Sequence, residues 1–140
     1  MDQREIIFID ANIFLEFMLG DKNAAICENL LKRIKNKDFI AKTSDFIIYA
    51  CLLQIRRKLN SNRTMHDFIL LINELSNLEI IRPSLNEMYG AITISEKYKL
   101  DFDDSLVVSC MVNNEIKSLI SLDKDFDKIH LIKRKEPFAI

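Results

Sequence analysis

The run Ile6-Ile7-Phe8-Ile9 constrains the fold of this chain more than any other stretch. It is strand-length, rich in β-branched residues and free of polar alternation, so both of its faces must be covered. Glu5 to Asp10 therefore reads as a buried strand. Leu78 to Arg82, ended by Pro83, and Ser118 to Leu122 also read as strands. Phe39 to Lys42 is a shorter strand candidate. Ile129 to Ile132 is a final edge-strand candidate, followed by a basic tail, Lys133-Arg134-Lys135. Strands covered on both faces and separated by helices imply a parallel α/β sheet with right-handed crossovers.

The intervening segments carry helical periodicity. Ala11 to Leu19 is a short helix punctuated by Gly20-Asp21, and a second runs from Lys22 to about Lys37 with Cys27, Leu30, Leu31 and Ile34 at helical spacing. Thr43-Ser44-Asp45 supplies cap chemistry for a third helix, Phe46 to about Leu59, which Asn60-Ser61-Asn62 breaks. Thr64 to Leu75 is a fourth, with Phe68, Leu71, Ile72 and Leu75 on one face. Ser84 caps a fifth that runs to about Lys99, with Met88, Ala91, Ile92 and Ser95 expected inward. The sixth begins near Phe102 and is apolar nearly all round, so it should be buried.

Composition narrows the class. A length of 140 residues suits one domain spanning 1–140, and a hydrophobic fraction of 49% suffices for a core. Only two glycines and two prolines favour regular elements over loops. The net charge of -1 excludes a uniformly basic nucleic-acid binder, so any RNA contact must come from a local patch such as Arg56, Arg57, Lys58 and Arg63. Cys27, Cys51 and Cys110 are odd in number, form no CxxC pair and lie in apolar runs, which suits reduced thiols in a cytoplasmic protein. His66 and His130 lack zinc-ligand spacing. No apolar stretch reaches the roughly 20 residues that span a bilayer, and the N-terminus lacks a signal-peptide pattern.

Three aspartates sit where chemistry is expected. Asp10 ends the first strand, Asp104 opens the buried sixth helix, and Asp123 follows the fourth strand. Ligands of an open parallel sheet bind outside the carboxyl ends of its strands. Carboxylates gathered there repel unless one is protonated or a cation bridges them, and an all-oxygen site suits Mg²⁺ or Mn²⁺. Each acid also has a purely structural reading. Asp10 and Asp101 could cap helices, Asp104 could complement a helix dipole, and Asp123 and Asp125 could shape a turn. Asp101, Asp103 and Asp125 add further charge nearby.

The pattern resembles a known family. Phe8-Ile9-Asp10-Ala11-Asn12-Ile13-Phe14-Leu15-Glu16 looks like the opening of a PIN-domain ribonuclease. Asp104-Ser105-Leu106 resembles its third acidic motif, and Ser121-Leu122-Asp123-Lys124-Asp125-Phe126 its closing motif. The likeness is strongest to the small VapC-like toxins of toxin–antitoxin pairs. It implies a three-layer α/β/α sandwich with a five-stranded parallel sheet and Mg²⁺- or Mn²⁺-dependent cleavage of RNA. It also implies that Asp10, Asp104 and Asp123 carry the metal, with Asn12 and Ser121 orienting carboxylates. A homodimer held by a small antitoxin protein is the implied assembly. One position departs from the pattern: Ala50 stands where the family usually has a glutamate. Asp45 and Glu16 are candidate substitutes for it.

Two other classes compete. A PIN-like module that binds RNA or protein without cutting is motivated by Ala50. An aspartyl phosphoryl-transfer domain also places Asp after its first strand, but Asp10-Ala11-Asn12 lacks the second acid that chemistry wants, and no lone Lys stands at a late strand end.

Overall fold

The computed structural model describes residues 2–140. Its elements run β1 (Ile6–Ile9), α1 (Ala11–Leu19), α2 (Ala24–Lys35), β2 (Ile40–Ser44), α3 (Asp45–Leu59), α4 (Asn62–Glu74), β3 (Leu78–Ile81), α5 (Leu85–Tyr98), α6 (Phe102–Asn113), β4 (Ser118–Ile120) and β5 (Lys133–Lys135). Two short 3₁₀ helices, Lys124–Lys128 and Pro137–Ala139, flank β5.

The five strands form one sheet in the order β3-β2-β1-β4-β5, and every pairing is parallel. Parallel neighbours need long crossovers, and each of the first three is a pair of helices. The helices pack in two sets, α1 with α2 and α3 and α3 with α4, then α5 with α6. The chain steps from β1 outward to β3 and then returns across β1 to β4. Right-handed crossovers on the two legs put the two helix sets on opposite faces. The result is the α/β/α layering of the expected fold. β1 lies at its centre, with Ile7, Phe8 and Ile9 fully buried, which is why that strand tolerates no polar residue.

Local chemistry sets the helix ends. Gly20 closes α1 in the left-handed region at φ 66°, where a side chain would strain the backbone. The Ser61 hydroxyl accepts from the Thr64 N–H to open α4, and Ser84 and Glu87 form a reciprocal capping box at α5. Residues 105 to 111 of α6 are all buried, as its apolar circumference requires. The three cysteines are free and buried.

Two expectations are corrected. The edge strand is not Ile129 to Ile132 but the basic segment Lys133–Lys135, which pairs with Ser118–Ile120. Ile129 and Ile132 are buried as core anchors within a turn. An edge strand tolerates charge because only one side of its backbone is paired, and here the side chains find acids: Lys135 meets Glu5, and Arg134 meets Asp127 and Glu136. The second correction concerns α5. Of Met88, Ala91, Ile92 and Ser95, only Ala91 is fully inside; Ser95 is half-buried, while Met88 and Ile92 face outward. The inward stripe is Glu87, Ala91, Ile94 and Tyr98, rotated about the helix axis. Close approach of α6 sets that rotation. A Cβ on Gly90 would lie 2.9 Å from the Ser109 hydroxyl, which donates to the Glu87 carbonyl at 2.7 Å.

Candidate metal centre

The sheet reverses its direction of growth between β1 and β4, and there the chain leaves the two strands toward different neighbours. This switch point opens a crevice at the carboxyl ends of the strands. Asp10 sits at its floor, buried, one residue beyond β1. Its Oδ1 accepts from the Ala11 N–H at 2.8 Å, so it caps α1. Its Oδ2 accepts from the Ser121 hydroxyl at 2.7 Å and from Asn12 Nδ2 at 3.2 Å. Capping and site-building are thus done by opposite oxygens of one carboxylate.

Ser121 is fully buried and organises the corner. Beyond donating to Asp10, its hydroxyl accepts from Asn12 Nδ2 at 3.0 Å and from the Asp123 N–H at 3.1 Å. Asn12 Oδ1 accepts from the Leu122 N–H at 3.1 Å, stitching α1 to the loop after β4. Asp123 in turn accepts from the Asp125 N–H at 2.9 Å and starts the 3₁₀ turn that follows.

Asp104 enters from the first turn of α6. Asp10, Asp104 and Asp123 line one cavity of about 420 Å³, together with Asp103, Asn12 and Ala50. No Lys, Arg or His lines that cavity. The acids feel one another. Burial, then Asp103, Asp10, Asp123 and Asp101, push the Asp104 carboxyl up to about 7. Burial also pushes Asp10 upward, against the Ser121 and Ala11 hydrogen bonds that favour its ionised form, with Asp123 and Asp103 adding to the rise. Without a cation the site therefore resists full ionisation. Among the described residues, the carboxylate oxygens of Asp101, Asp103 and Asp104 lie within 4.8 Å of one another at the start of α6, a group that includes neither Asp10 nor Asp123, and Asp101 does not line the cavity. The four aspartates that line the cavity, with no basic side chain among its lining residues, offer oxygen donors that suit a hard divalent ion.

Ala50 faces this cavity from α3, so the position expected to carry a glutamate presents a methyl group there. Neither candidate substitute lines the wall. The Glu16 carboxylate accepts from the backbone and side chain of Asn23 at the α1–α2 junction. Asp45 accepts from the Ser44 hydroxyl at the mouth of α3. Asp125 is exposed on the following turn.

Sequence reasoning missed three contributors. Phe46 and Gln54 line the cavity from α3; Gln54 lies four residues after Ala50, a spacing that shares a face and could have flagged it. Arg134 lies behind the site on β5, its side chain only 9% exposed, and donates from Nη1 to the Ser121 carbonyl at 3.0 Å while gripping Asp127. Nothing local distinguishes it from its basic neighbours.

An all-parallel α/β/α domain with a carboxylate-lined crevice at its switch point defines the class. The chain belongs to the PIN domain family, whose profile matches residues 7–131. Among solved structures it is similar to Mycobacterium tuberculosis VapC20, a sarcin–ricin loop cleaving toxin (TM-score 0.75, 15% identity, covering 89% of this chain and 95% of that one). It is also similar to VapBC2 of Rickettsia felis bound to a DNA fragment from its promoter (0.71, 18%, 94% and 98%). A toxin–antitoxin complex from Klebsiella pneumoniae is a third (0.70, 16%, 96% and 99%). At these identities the likeness is one of fold. No curated protein matches the chain by sequence.

Proposed function

We propose that this chain, folded as a single PIN-like domain over residues 1–140, is a Mg²⁺- or Mn²⁺-dependent endoribonuclease and a VapC-like toxin. The observation that carries this reading is the convergence of Asp10, Asp104 and Asp123 on one cavity whose walls hold no basic side chain. Those three carboxylates are the proposed ligands and catalytic groups, with Asp103 close by. Ser121 and Asn12 hold Asp10 in a fixed orientation, and Arg134 braces Ser121 from behind. A bound ion would polarise the scissile phosphate and lower the pKa of an attacking water.

The proposed substrate is RNA. An antitoxin protein is the proposed partner, supported by the toxin–antitoxin assemblies of similar fold. A homodimer is proposed on the large apolar residues left exposed on α3 and α5, Tyr49, Leu53, Leu85 and Tyr89. Three free cysteines support a reducing compartment such as the cytoplasm. Among the described residues, no helix is long and apolar enough to cross a membrane.

Ala50 leaves the proposed centre one ligand short. The chain should therefore cut a mixed RNA pool slowly in Mn²⁺, and Ala50→Glu should speed cleavage and tighten metal binding. In a chelator the same substitution should lower the melting temperature, because it adds a like charge to the cavity. Full activity of the unaltered chain would show that Ala50 is no missing-ligand site. Cleavage that survives Asp104→Asn in the Ala50→Glu background would place the chemistry elsewhere. The competing reading, a non-catalytic RNA- or protein-binding module, rests on that same alanine. It requires that Mn²⁺ leave the melting temperature of the unaltered chain unchanged.

A further inference from the structure

The cavity has an outer wall on α3. Ala50, Gln54 and Arg57 stand at i, i+4 and i+7, so they share one face of the helix. Ala50 and Gln54 line the cavity, and Arg57 continues the stripe about 10 Å along the axis from Ala50. Arg57 is tied to that wall: its Nη2 donates to Gln54 Oε1 at 2.7 Å. A guanidinium can only donate, so the Gln54 carbonyl oxygen must face Arg57, which turns the Gln54 NH₂ away as an open donor. The neighbouring Arg56 does something else. Its Nη2 donates to Asn62 Oδ1 at 2.7 Å, across the turn into α4.

A cation at a helix C-terminus needs no cavity to explain it, since the macrodipole favours it there. The dipole does not select between Arg56 and Arg57, however, and the side-chain bonds do. Of the two, Arg57 is the one bonded to a residue that lines the cavity, and the lining holds four aspartates and no basic residue. A polyanion entering that cavity meets repulsion that a flanking cation must offset.

We propose that Gln54 and Arg57 form a subsite for a backbone phosphate of single-stranded RNA, next to the phosphate that reaches the carboxylates. Arg57 neutralises the phosphate, and the Gln54 NH₂ donates to an adjacent phosphate or sugar oxygen. The inference rests on the ribonuclease reading for the identity of the polyanion. It adds the path by which the strand leaves the site.

The test is the affinity of a short fluorescein-labelled single-stranded RNA, read by anisotropy in Ca²⁺ across a salt series. The proteins are the unaltered chain, Arg57→Ala, Arg57→Lys and Arg56→Ala. Arg57→Ala should weaken binding about fivefold or more and flatten the dependence of log affinity on log salt by about 0.7, the value of one phosphate contact on a single strand. Arg57→Lys should retain the salt slope, because the charge survives. Arg56→Ala should change affinity less than about twofold, the expectation for a surface cation outside the strand's path. Equal losses from the two alanine variants, no loss from Arg57→Ala, or no RNA binding by the unaltered chain would each overturn the subsite. The nuclease reading fails by a different signature, the absence of Mn²⁺-dependent cleavage and stabilisation. A loss confined to Arg57→Ala together with that absence keeps the subsite and removes the enzyme.

Discussion

Asp104 joins the structure to pH. Its carboxyl is pushed from 3.8 up to about 7, first by burial and then by Asp103, Asp10, Asp123 and Asp101. A carboxyl that binds its proton more tightly when folded supports the fold only while the pH keeps it protonated. Its contribution is fully present below the unfolded value near 3.8 and is lost as pH rises through about 7. The metal-free protein should therefore lose melting temperature over that window, and Asp104→Asn should flatten the loss. A divalent ion needs the ionised form, so below pH 7 it must displace a proton. Stabilisation by Mn²⁺ should grow from pH 5.5 to about 7.5 and then level, a profile that thermal melts at fixed metal concentration will read. A Mn²⁺ response independent of pH would mean that Asp104 is not among the ligands.

At the scale of the element, α5 depends on a glycine. Alanine at a helix-interior glycine ordinarily gains about 1 kcal/mol from helix propensity. At Gly90 the added Cβ would lie 2.9 Å from the Ser109 hydroxyl. That hydroxyl is buried and committed to the Glu87 carbonyl at 2.7 Å, so it cannot swing aside without breaking its bond. Gly90→Ala should thus lower stability. In a Ser109→Ala background, where the obstruction and the hydrogen bond are both gone, the same substitution should raise it. Denaturant melts of the four proteins form a double-mutant cycle. Additive effects would show that α5 and α6 do not owe their approach to this pair. The close approach also fixes which face of α5 turns outward, and that face is apolar.

The whole molecule carries the consequence of that rotation. Leu85 and Tyr89 on α5 are 82% and 76% exposed, and Tyr49 and Leu53 on α3 are 60% and 70% exposed. Phe46 of α3 packs against the small buried cluster of Ala91, Leu106 and Cys110 that joins α5 and α6. Large apolar side chains left this exposed favour association. The protein should sediment as a dimer at micromolar concentration, and Leu53→Glu or Tyr89→Arg should convert it to a monomer without lowering its melting temperature by more than a change of oligomer requires. A monomeric unaltered chain would remove the dimer from the proposed function. α4 also exposes Ile69 and Leu70, so it has an outward apolar side of its own.

By itself the sequence determined what depends on short-range order. An unalternating apolar run marked β1, and short apolar-rich segments bounded by turn residues marked β3 and β4. Helical spacing and cap residues marked α1 to α5, an apolar run of helix length marked α6, and the order of acidic motifs located Asp10, Asp104 and Asp123 at element ends, because an N-cap or strand terminus is a local event. The tertiary structure decided what depends on a partner. An edge strand is chosen by the open backbone groups of its neighbour: Lys133 N–H reaches the Lys117 carbonyl, while the more apolar Ile129 and Ile132 go to the core. The rotation of α5 was decided by contact with α6 and not by its own amphipathicity. The Glu16 and Asp45 carboxylates are engaged by Asn23 and by Ser44, and neither residue lines the cavity. Arg134 became a brace for the site only when β5 docked beside β4 and brought it to the Ser121 carbonyl. Periodicity and capping are properties of a few consecutive residues. Which side of an element faces a neighbour is a property of both surfaces and is written in neither alone.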